Sequence, residues 1–209
     1  MKVFWELTAI RYFIAGVVVF GLFHLLPPFI TLWLGSKYLL GQSVLILLMI
    51  TVFVMQTRGV VDIFNHAHGL YADVWTAWVE GVVNLAVTIT AAYYLGIAGV
   101  LLGKIASILP IIVFWKPYYL FRKALKQRLK LYIIMYVKHL SVAIVSIILT
   151  YSVLKFVPMH SFESALSSFV YGVFITILYT LILLSMFYFL GLGLNRFIRR
   201  IQSMMNGRK

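Results

Sequence analysis

The segment SFVYGVFITILYTLILLSMFYFLGL occupies residues Ser168 to Leu192 and contains no charged side chain. A helix of about 20 apolar residues is long enough to cross the hydrocarbon core of a bilayer. No run of alternating residues is long enough for a barrel strand, and helices pair their own backbone polar groups in lipid. The segment therefore predicts a transmembrane helix.

Five more apolar runs precede this one. They extend from Ala9 to Leu34, Ser43 to Phe64, Trp75 to Leu95, Ala98 to Trp115, and from Leu131 or His139 to Val157. The glycines at 96 and 99 predict a tight antiparallel hairpin between the third and fourth spans. Pro27-Pro28 is expected to kink or break the first span, because proline removes a backbone donor and clashes with the preceding turn. The fold class is all-α, a polytopic transmembrane bundle of about six helices.

Composition agrees with this fold class. The chain has 209 residues, of which 63% are apolar and 11% charged, and its mean hydropathy is +1.02. Soluble domains carry about 25% charged residues, so a soluble domain is excluded. The absence of cysteine excludes disulfides and thiolate metal sites. We expect no cleavable signal peptide, since the first apolar run leads into Pro27-Pro28 without a small-residue cleavage pattern.

The net charge of +13 is distributed unevenly among the loops. Of the 18 Lys and Arg, 14 lie in four regions that six spans place on one side: Lys2 and Arg11, Arg58, Lys116 to Lys130, and the tail from Arg196. The opposite loops hold only Lys37 and Lys155. The positive-inside rule makes the basic side cytoplasmic. These charges indicate topology and attraction to anionic membrane lipid, and no nucleic-acid partner is expected.

Charged residues in or near apolar spans are candidates for function. Arg58 and Asp62 end the second span and Glu80 begins the third, all in the cytoplasmic leaflet. Arg58 is expected to lie within ion-pair reach of Glu80, and a pair with Asp62 at i+4 is also sterically reasonable. Such a pair would either fix helix packing or expose a charge to a water-filled cavity.

Lys104 lies in the outer half of the fourth span. Counting residues separates its level from that of Glu80 by roughly 15 Å, so no acid is expected to reach it. It would then either snorkel to the interface or face an aqueous cavity. Lys138 and His139 interrupt the fifth run, which favours a span that begins at His139, with 131 to 137 at the interface, over a buried pair.

Four polar residues, Asp62, His66, His68 and Asp73, form a weak cluster in the sequence. His66 and His68 are about 200° apart on a helix, so a polar cytoplasmic loop explains them better than a metal site does. No glycine-rich phosphate loop, nucleophile elbow or His-Glu-x-x-His motif is present. We therefore predict no catalytic residues, no metal site, no cofactor and no enzymatic activity.

Two longer motifs resemble a known family. Residues 28 to 38, PFITLWLGSKY, resemble the P-F-I-x-L-W-L-G-x-x-Y stretch of bacterial polysaccharide transporters. Residues 84 to 88, NLAVT, and 96 to 107, GIAGVLLGKIAS, resemble their N-L-x-x-S and G-I-x-G-V-x-x-G-T-x-x-S hairpin in order and spacing. Residues 20 to 120 thus resemble the PST-type O-antigen and capsule repeat-unit flippases, in the superfamily that includes the MATE multidrug exporters. Lys104 stands where that family usually has threonine.

The resemblance implies a place in such a transporter. Residues 1 to 120 would be four helices of its C-terminal lobe, and 121 to 209 a basic cytoplasmic loop, two additional helices and a basic tail. The chain would be part of a flippase for undecaprenyl-diphosphate-linked oligosaccharide in the bacterial inner membrane, either as a fragment of a longer protein or as half of a split transporter whose N-terminal lobe is a separate chain. Its substrate-cavity candidates are Lys104, Arg58, Glu80 and Asn84. The alternative is a non-transporting scaffold or truncated remnant in a glycan-assembly complex.

The charge distribution makes a prediction about topology: both termini and the segment from Lys116 to Lys130 are cytoplasmic, while Lys37 and Lys155 are external. The chain has no native cysteine, so single introduced cysteines report sidedness without background. We expect Lys126→Cys to resist an impermeant thiol reagent in intact cells and Lys37→Cys to react. Reaction of the residue 126 cysteine from outside would contradict the assignment.

Overall fold

The computed structural model of the chain describes residues 1–71, 74–156 and 164–206. Every regular element in these ranges is helical, and six helices are long and apolar enough to cross a membrane. The all-α prediction with about six membrane-length helices is confirmed. The membrane-length helices are 21 to 32 residues long, which matches the thickness of a bilayer core at 1.5 Å per residue.

The helices follow the chain in a simple order, with bounds close to those predicted from hydropathy. They are α1 (Lys2–Trp33), a 3₁₀ turn (Ser36–Tyr38), α2 (Gln42–Ala67), α3 (Trp75–Leu95), α4 (Ile97–Ile108), a π-helical segment (Leu109–Trp115), α5 (Lys116–Lys123), α6 (Leu129–Leu154), α7 (Ala165–Phe189) and α8 (Leu194–Asn206).

The first helix continues through Pro27 and Pro28 to Trp33, so the expected break does not occur. Prolines free carbonyls one turn earlier, and in membrane helices neighbouring groups take up such positions. The freed carbonyl of His24 lies against Gly172 of α7, where a Cβ would come within 3.1 Å. The Thr31 hydroxyl donates to the carbonyl of Pro27 at 3.0 Å. The first helix therefore continues through both prolines with Gly172 of α7 packed closely against it.

The fourth span is longer than its apolar run. α4, the π-helical segment and α5 follow one another without a break, and the helix reaches Lys123. Pro110 cannot donate to the carbonyl one turn before it, and wider π turns accommodate such interruptions. Much of the basic segment from Lys116, predicted as a loop, is therefore helical, and only residues 124–128 separate α5 from α6.

By their contacts, the residues fall into two compact units. Unit 1 comprises residues 1–39 and 135–209, and unit 2 comprises residues 40–134. This partition groups α1 with the C-terminal helices, whereas the family resemblance divides the chain near residue 120. Each unit has its own helix-packing core.

In unit 1, α1 packs along α7 through small residues. A Cβ at Gly16 would lie 3.0 Å from Leu183, and one at Gly21 would lie 3.2 Å from Thr176. The rings of Phe20 and Tyr179 stack with centroids 4.1 Å apart. Small residues let membrane helices approach closely enough for van der Waals packing to hold them.

The helix α6 runs unbroken from Leu129 to Leu154, and its residues from 135 onward belong to unit 1. A membrane span that begins at His139 within this helix stays a prediction. His139 is fully buried, and its Nδ1 donates to the carbonyl of Met135 at 2.6 Å. Its ring packs between Tyr12 and Phe187. Lys138 is exposed. The histidine is therefore a packed core residue, with its lysine neighbour turned away from it.

The basic tail is not an extended segment but the amphipathic helix α8. Apolar residues recur at helical spacing, and Arg196 and Arg199 are exposed on the other face. An ion pair joins Arg200 to Glu6 of α1, with Nη2 and Oε1 3.1 Å apart. Glu6 is only 4% exposed, so α8 supplies the cation that this buried carboxylate needs.

In unit 2, α3 and α4 form the predicted hairpin. They join at Gly96, whose φ of 57° favours glycine. A Cβ at Gly99 would overlap the backbone of Ala91, and one at Gly103 would overlap Thr88. The two helices therefore touch backbone to backbone, and the glycines set their register.

This packing predicts a large difference between two glycine substitutions in the same hairpin. Gly99→Ala should lower the free energy of unfolding by about 1–3 kcal/mol, because the added methyl must push the helices apart. Gly81→Ala should be neutral or stabilising by up to about 1 kcal/mol, since its Cβ meets nothing within 4 Å. Reversible unfolding of the purified chain in detergent measures both, and equal effects would contradict the close contact.

Candidate functional site

A line of polar side chains follows α3 where it faces α4. Glu80, Asn84 and Thr88 recur at four-residue spacing, which puts them on one helical face. The Thr88 hydroxyl donates to the side-chain oxygen of Asn84 at 3.0 Å. All three residues are partly buried. Asn84, a candidate from the sequence, thus lies between a carboxylate and a hydroxyl in an otherwise apolar hairpin.

Lys104 of α4 completes this line. Its Nζ lies 3.0 Å from Oε1 of Glu80, and the side chains of Lys104 and Glu80 are 35% and 21% exposed. The prediction that no acid reaches Lys104 is therefore wrong. The pair is only partly buried by the rest of the chain, so one side of the lysine is uncovered.

The error has a geometric cause. Because Gly103 lies opposite Thr88, the backbone of Lys104 is about seven residues, or about 10 Å along the axis, from the level of Glu80. The flexible four-carbon stem of lysine and the glutamate side chain close that gap. Counting from the two membrane faces overestimated the separation and ignored side-chain length. Counting from the Gly96 turn reduces the separation to about eight residues, or about 12 Å, but does not by itself identify the pair.

A second cluster of charges joins α2 to α5. Lys116 Nζ lies 2.8 Å from Oδ1 of Asp62, and Arg58 Nε lies 3.5 Å from Oδ2 of the same carboxylate. Of the two pairings considered for Arg58, the described residues show the one with Asp62. The expected pair with Glu80 is absent among them, because Glu80 binds Lys104 instead.

Two residues of this cluster were not identified from the sequence. Lys116 was counted only as a topology signal, although it directly follows the apolar run and so lies at the level of Asp62.

Asn65, one turn after Asp62, is 2% exposed, and neither its Oδ1 nor its Nδ2 has a hydrogen-bond partner among the described residues. Buried amides without partners are uncommon, and no sequence pattern distinguishes this one.

The weak histidine cluster does not assemble among the described residues. His68 Nδ1 donates to the carbonyl of Phe64 at 2.7 Å, while the ring of His66 stacks on Tyr71. Asp73 lies outside the described residues. Within the described ranges, no group of three His, Asp or Glu side chains could hold a metal ion.

The geometry of unit 2 suits binding of an anion by exchange. Lys104 and Lys116 each pair with a carboxylate on another helix, which lowers the cost of placing these charges in an apolar medium. An anion that approaches the open side of Lys104 could take the place of Glu80. Asn84 and Thr88 would then offer neutral hydrogen-bonding groups beside it.

No known family model, curated protein or solved structure matches this chain.

The hairpin pair predicts coupled effects of mutation. Glu80→Gln and Lys104→Gln should each lower the free energy of unfolding by about 2 kcal/mol, because each variant leaves one charge unpaired. The loss should be smaller than the roughly 3–5 kcal/mol expected for a fully buried pair, since both side chains are partly exposed. The double variant should lose less than the sum, with a coupling energy of about 1 kcal/mol. Lys123→Gln, which removes an exposed cation from α5, is the control and should change stability by no more than about 0.5 kcal/mol. Additive losses in the cycle would show that the two side chains do not interact.

Proposed function

We propose that the chain is part of a membrane transporter that moves lipid-linked oligosaccharide repeat units across the bacterial inner membrane. The observation that carries the proposal is the partly exposed Glu80–Lys104 pair beside Asn84 and Thr88 in an apolar hairpin. Charged residues in membrane spans are costly, and they generally face a water-filled path or a partner. Here the lysine has both a partner and an exposed side.

The chemistry of the substrate class fits these side chains. A diphosphate-linked oligosaccharide needs cations for its phosphates and hydrogen-bonding groups for its sugars. Lys104 would bind a phosphate oxygen as Glu80 releases it, and Asn84 and Thr88 would contact hydroxyl groups. Arg58 and Lys116, which share Asp62, would offer a second cationic position in the same unit.

The family resemblance supports the same assignment, since its hairpin motif includes the positions of Asn84, Thr88 and Lys104. Transporters of this kind rock two lobes about a site near the middle of the membrane. The hairpin would form one wall of that site, and a second lobe would supply the other. Lysine in place of the usual threonine at 104 brings a cation to this wall, where the family motif has a neutral hydroxyl.

Complementation of a flippase-deficient bacterial strain tests this function, with surface glycan as the readout. We expect no glycan from the 209 residues expressed alone, because one lobe cannot provide alternating access. Glycan should appear on co-expression with a chain that supplies a first lobe. In that arrangement Lys104→Gln should lower glycan roughly tenfold, the effect of losing about 1.4 kcal/mol of phosphate binding, and Lys104→Arg should retain most of it.

Each other outcome has a definite meaning. Glycan from the 209 residues alone would contradict the need for a second lobe. Absence of glycan in every arrangement would contradict transport and favour the non-transporting scaffold. Equal glycan with Lys104→Gln would remove Lys104 from the substrate path.

A further inference from the structure

A cationic groove of about 650 Å³ lies where α5 turns into α6, at the end of unit 2. Four basic side chains line it: Arg122, Lys126, Arg128 and Lys130. All four are exposed. The groove is separate from the Glu80–Lys104 site in the hairpin, and it does not share a residue with the Asp62 cluster.

The turn that carries these cations is built from fixed backbone contacts. The amides of Ala124 and Leu125 donate to the carbonyl of Leu120, and the amide of Gln127 donates to the carbonyl of Phe121 at 2.9 Å. Leu120 and Phe121 are fully buried. Lys126 has a φ of 50°, a left-handed conformation that most turns of this kind give to glycine. A lysine is thus held where a glycine would be less strained.

Among the described residues of unit 2, no carboxylate pairs with any of the four cations. The described carboxylates of unit 2 are Asp62 and Glu80, and both already bind lysines elsewhere. Arg122 contacts the hydroxyl and ring face of Tyr118, which leaves its charge uncompensated. Four positive charges around one groove repel one another, and an anion between them would relieve that repulsion.

The floor of the groove is apolar. Leu131 and Ile134, three residues apart on α6, line it, and they are 39% and 51% exposed. On α5, Tyr118 and Tyr119 border a neighbouring groove with Trp115. Trp and Tyr concentrate at the level of lipid headgroups. Charged and aliphatic side chains therefore line the cationic groove together, and aromatic side chains line the groove beside it.

We propose that this groove is a binding site for an anionic phospholipid. The phosphate group lies among Arg122, Lys126, Arg128 and Lys130, Gln127 donates to a headgroup oxygen, and an acyl chain lies along Leu131 and Ile134. An amphiphile suits a groove that is lined by both cationic and apolar side chains. The site is independent of the proposed transport function, because it uses none of the residues assigned to the substrate path.

The test uses the full chain purified in a zwitterionic detergent and titrated with phosphatidylglycerol, with phosphatidylcholine as the neutral comparison. We expect saturable binding of phosphatidylglycerol that weakens with salt. Lys126→Asn combined with Arg128→Gln should weaken it about 30-fold, or about 2 kcal/mol, since each basic residue near a membrane surface contributes about 1 kcal/mol. Asparagine tolerates the left-handed backbone at 126.

A charge-matched control removes two exposed cations of unit 1, Lys37→Gln with Lys155→Gln, and should leave the affinity unchanged. Lys130→Gln alone should weaken phosphatidylglycerol binding about fivefold. Because Lys130 lies within helix α6, this variant tests the groove even if the turn variant misfolds. Equal affinity of the groove variants and the wild type would overturn the proposal, as would an equal loss in the control.

Inorganic pyrophosphate distinguishes a lipid headgroup from a soluble phosphate. For a lipid site, Ile134→Ser should weaken phosphatidylglycerol binding and leave pyrophosphate binding unaltered, and the lipid should bind more tightly than pyrophosphate. Pyrophosphate affinity equal to that of the lipid, together with no effect of Ile134→Ser on the lipid, would assign the groove to a soluble phosphate compound and overturn the lipid site.

Discussion

A charge within an apolar span needs a partner within reach, and this requirement fixes how the helices of unit 2 meet. Asp62 of α2 binds Lys116 of α5, and Glu80 of α3 binds Lys104 of α4. Between membrane helices, apolar faces offer little preference for one rotation over another, because lipid tails are as apolar as leucine. The ion pairs supply that preference. They select the face of each helix that turns inward, and the glycines at 99 and 103 then allow the hairpin to close.

The same requirement acts in unit 1 with different elements. Glu6 is almost completely buried in α1, and the residue that neutralises it, Arg200, is 194 positions away in α8. An amphipathic helix such as α8 favours the membrane surface without any ion pair, since one of its faces is basic and the other apolar. The ion pair with the buried carboxylate fixes α8 to one position on α1. Gly193, which directly precedes α8, lets the chain approach the backbone of Trp5 in α1.

Hydropathy was sufficient to predict the number and approximate ends of the spans, because each needs only length and apolar content. It could not predict the pairing of charges, which depends on axial rotation and hairpin register. Lys104 illustrates this, since its partner became apparent only from the contact of Gly103 with Thr88. The helix α8 could have been predicted from the sequence, because its apolar residues recur at helical spacing. Sequence reasoning did not predict the continuity of α1 through Pro27 and Pro28, because the loss of two backbone donors favours a kink or a break, whereas helices packed in a bundle tolerate such prolines.

The basic residues near the ends of the spans do not all serve one purpose. Topology requires only that cations be near the ends of spans, and it places no demand on their mutual geometry. Lys116 and Arg200 satisfy that rule and also neutralise carboxylates. The turn between α5 and α6 is different, because it brings four cations around one groove. It also holds Lys126 in a left-handed conformation that costs roughly 1–2 kcal/mol for a residue other than glycine. Neither the positive-inside rule nor helix packing accounts for that cost. An anion bound in the groove would account for it, because charge-assisted contacts to phosphate are strong enough to offset strain of this size.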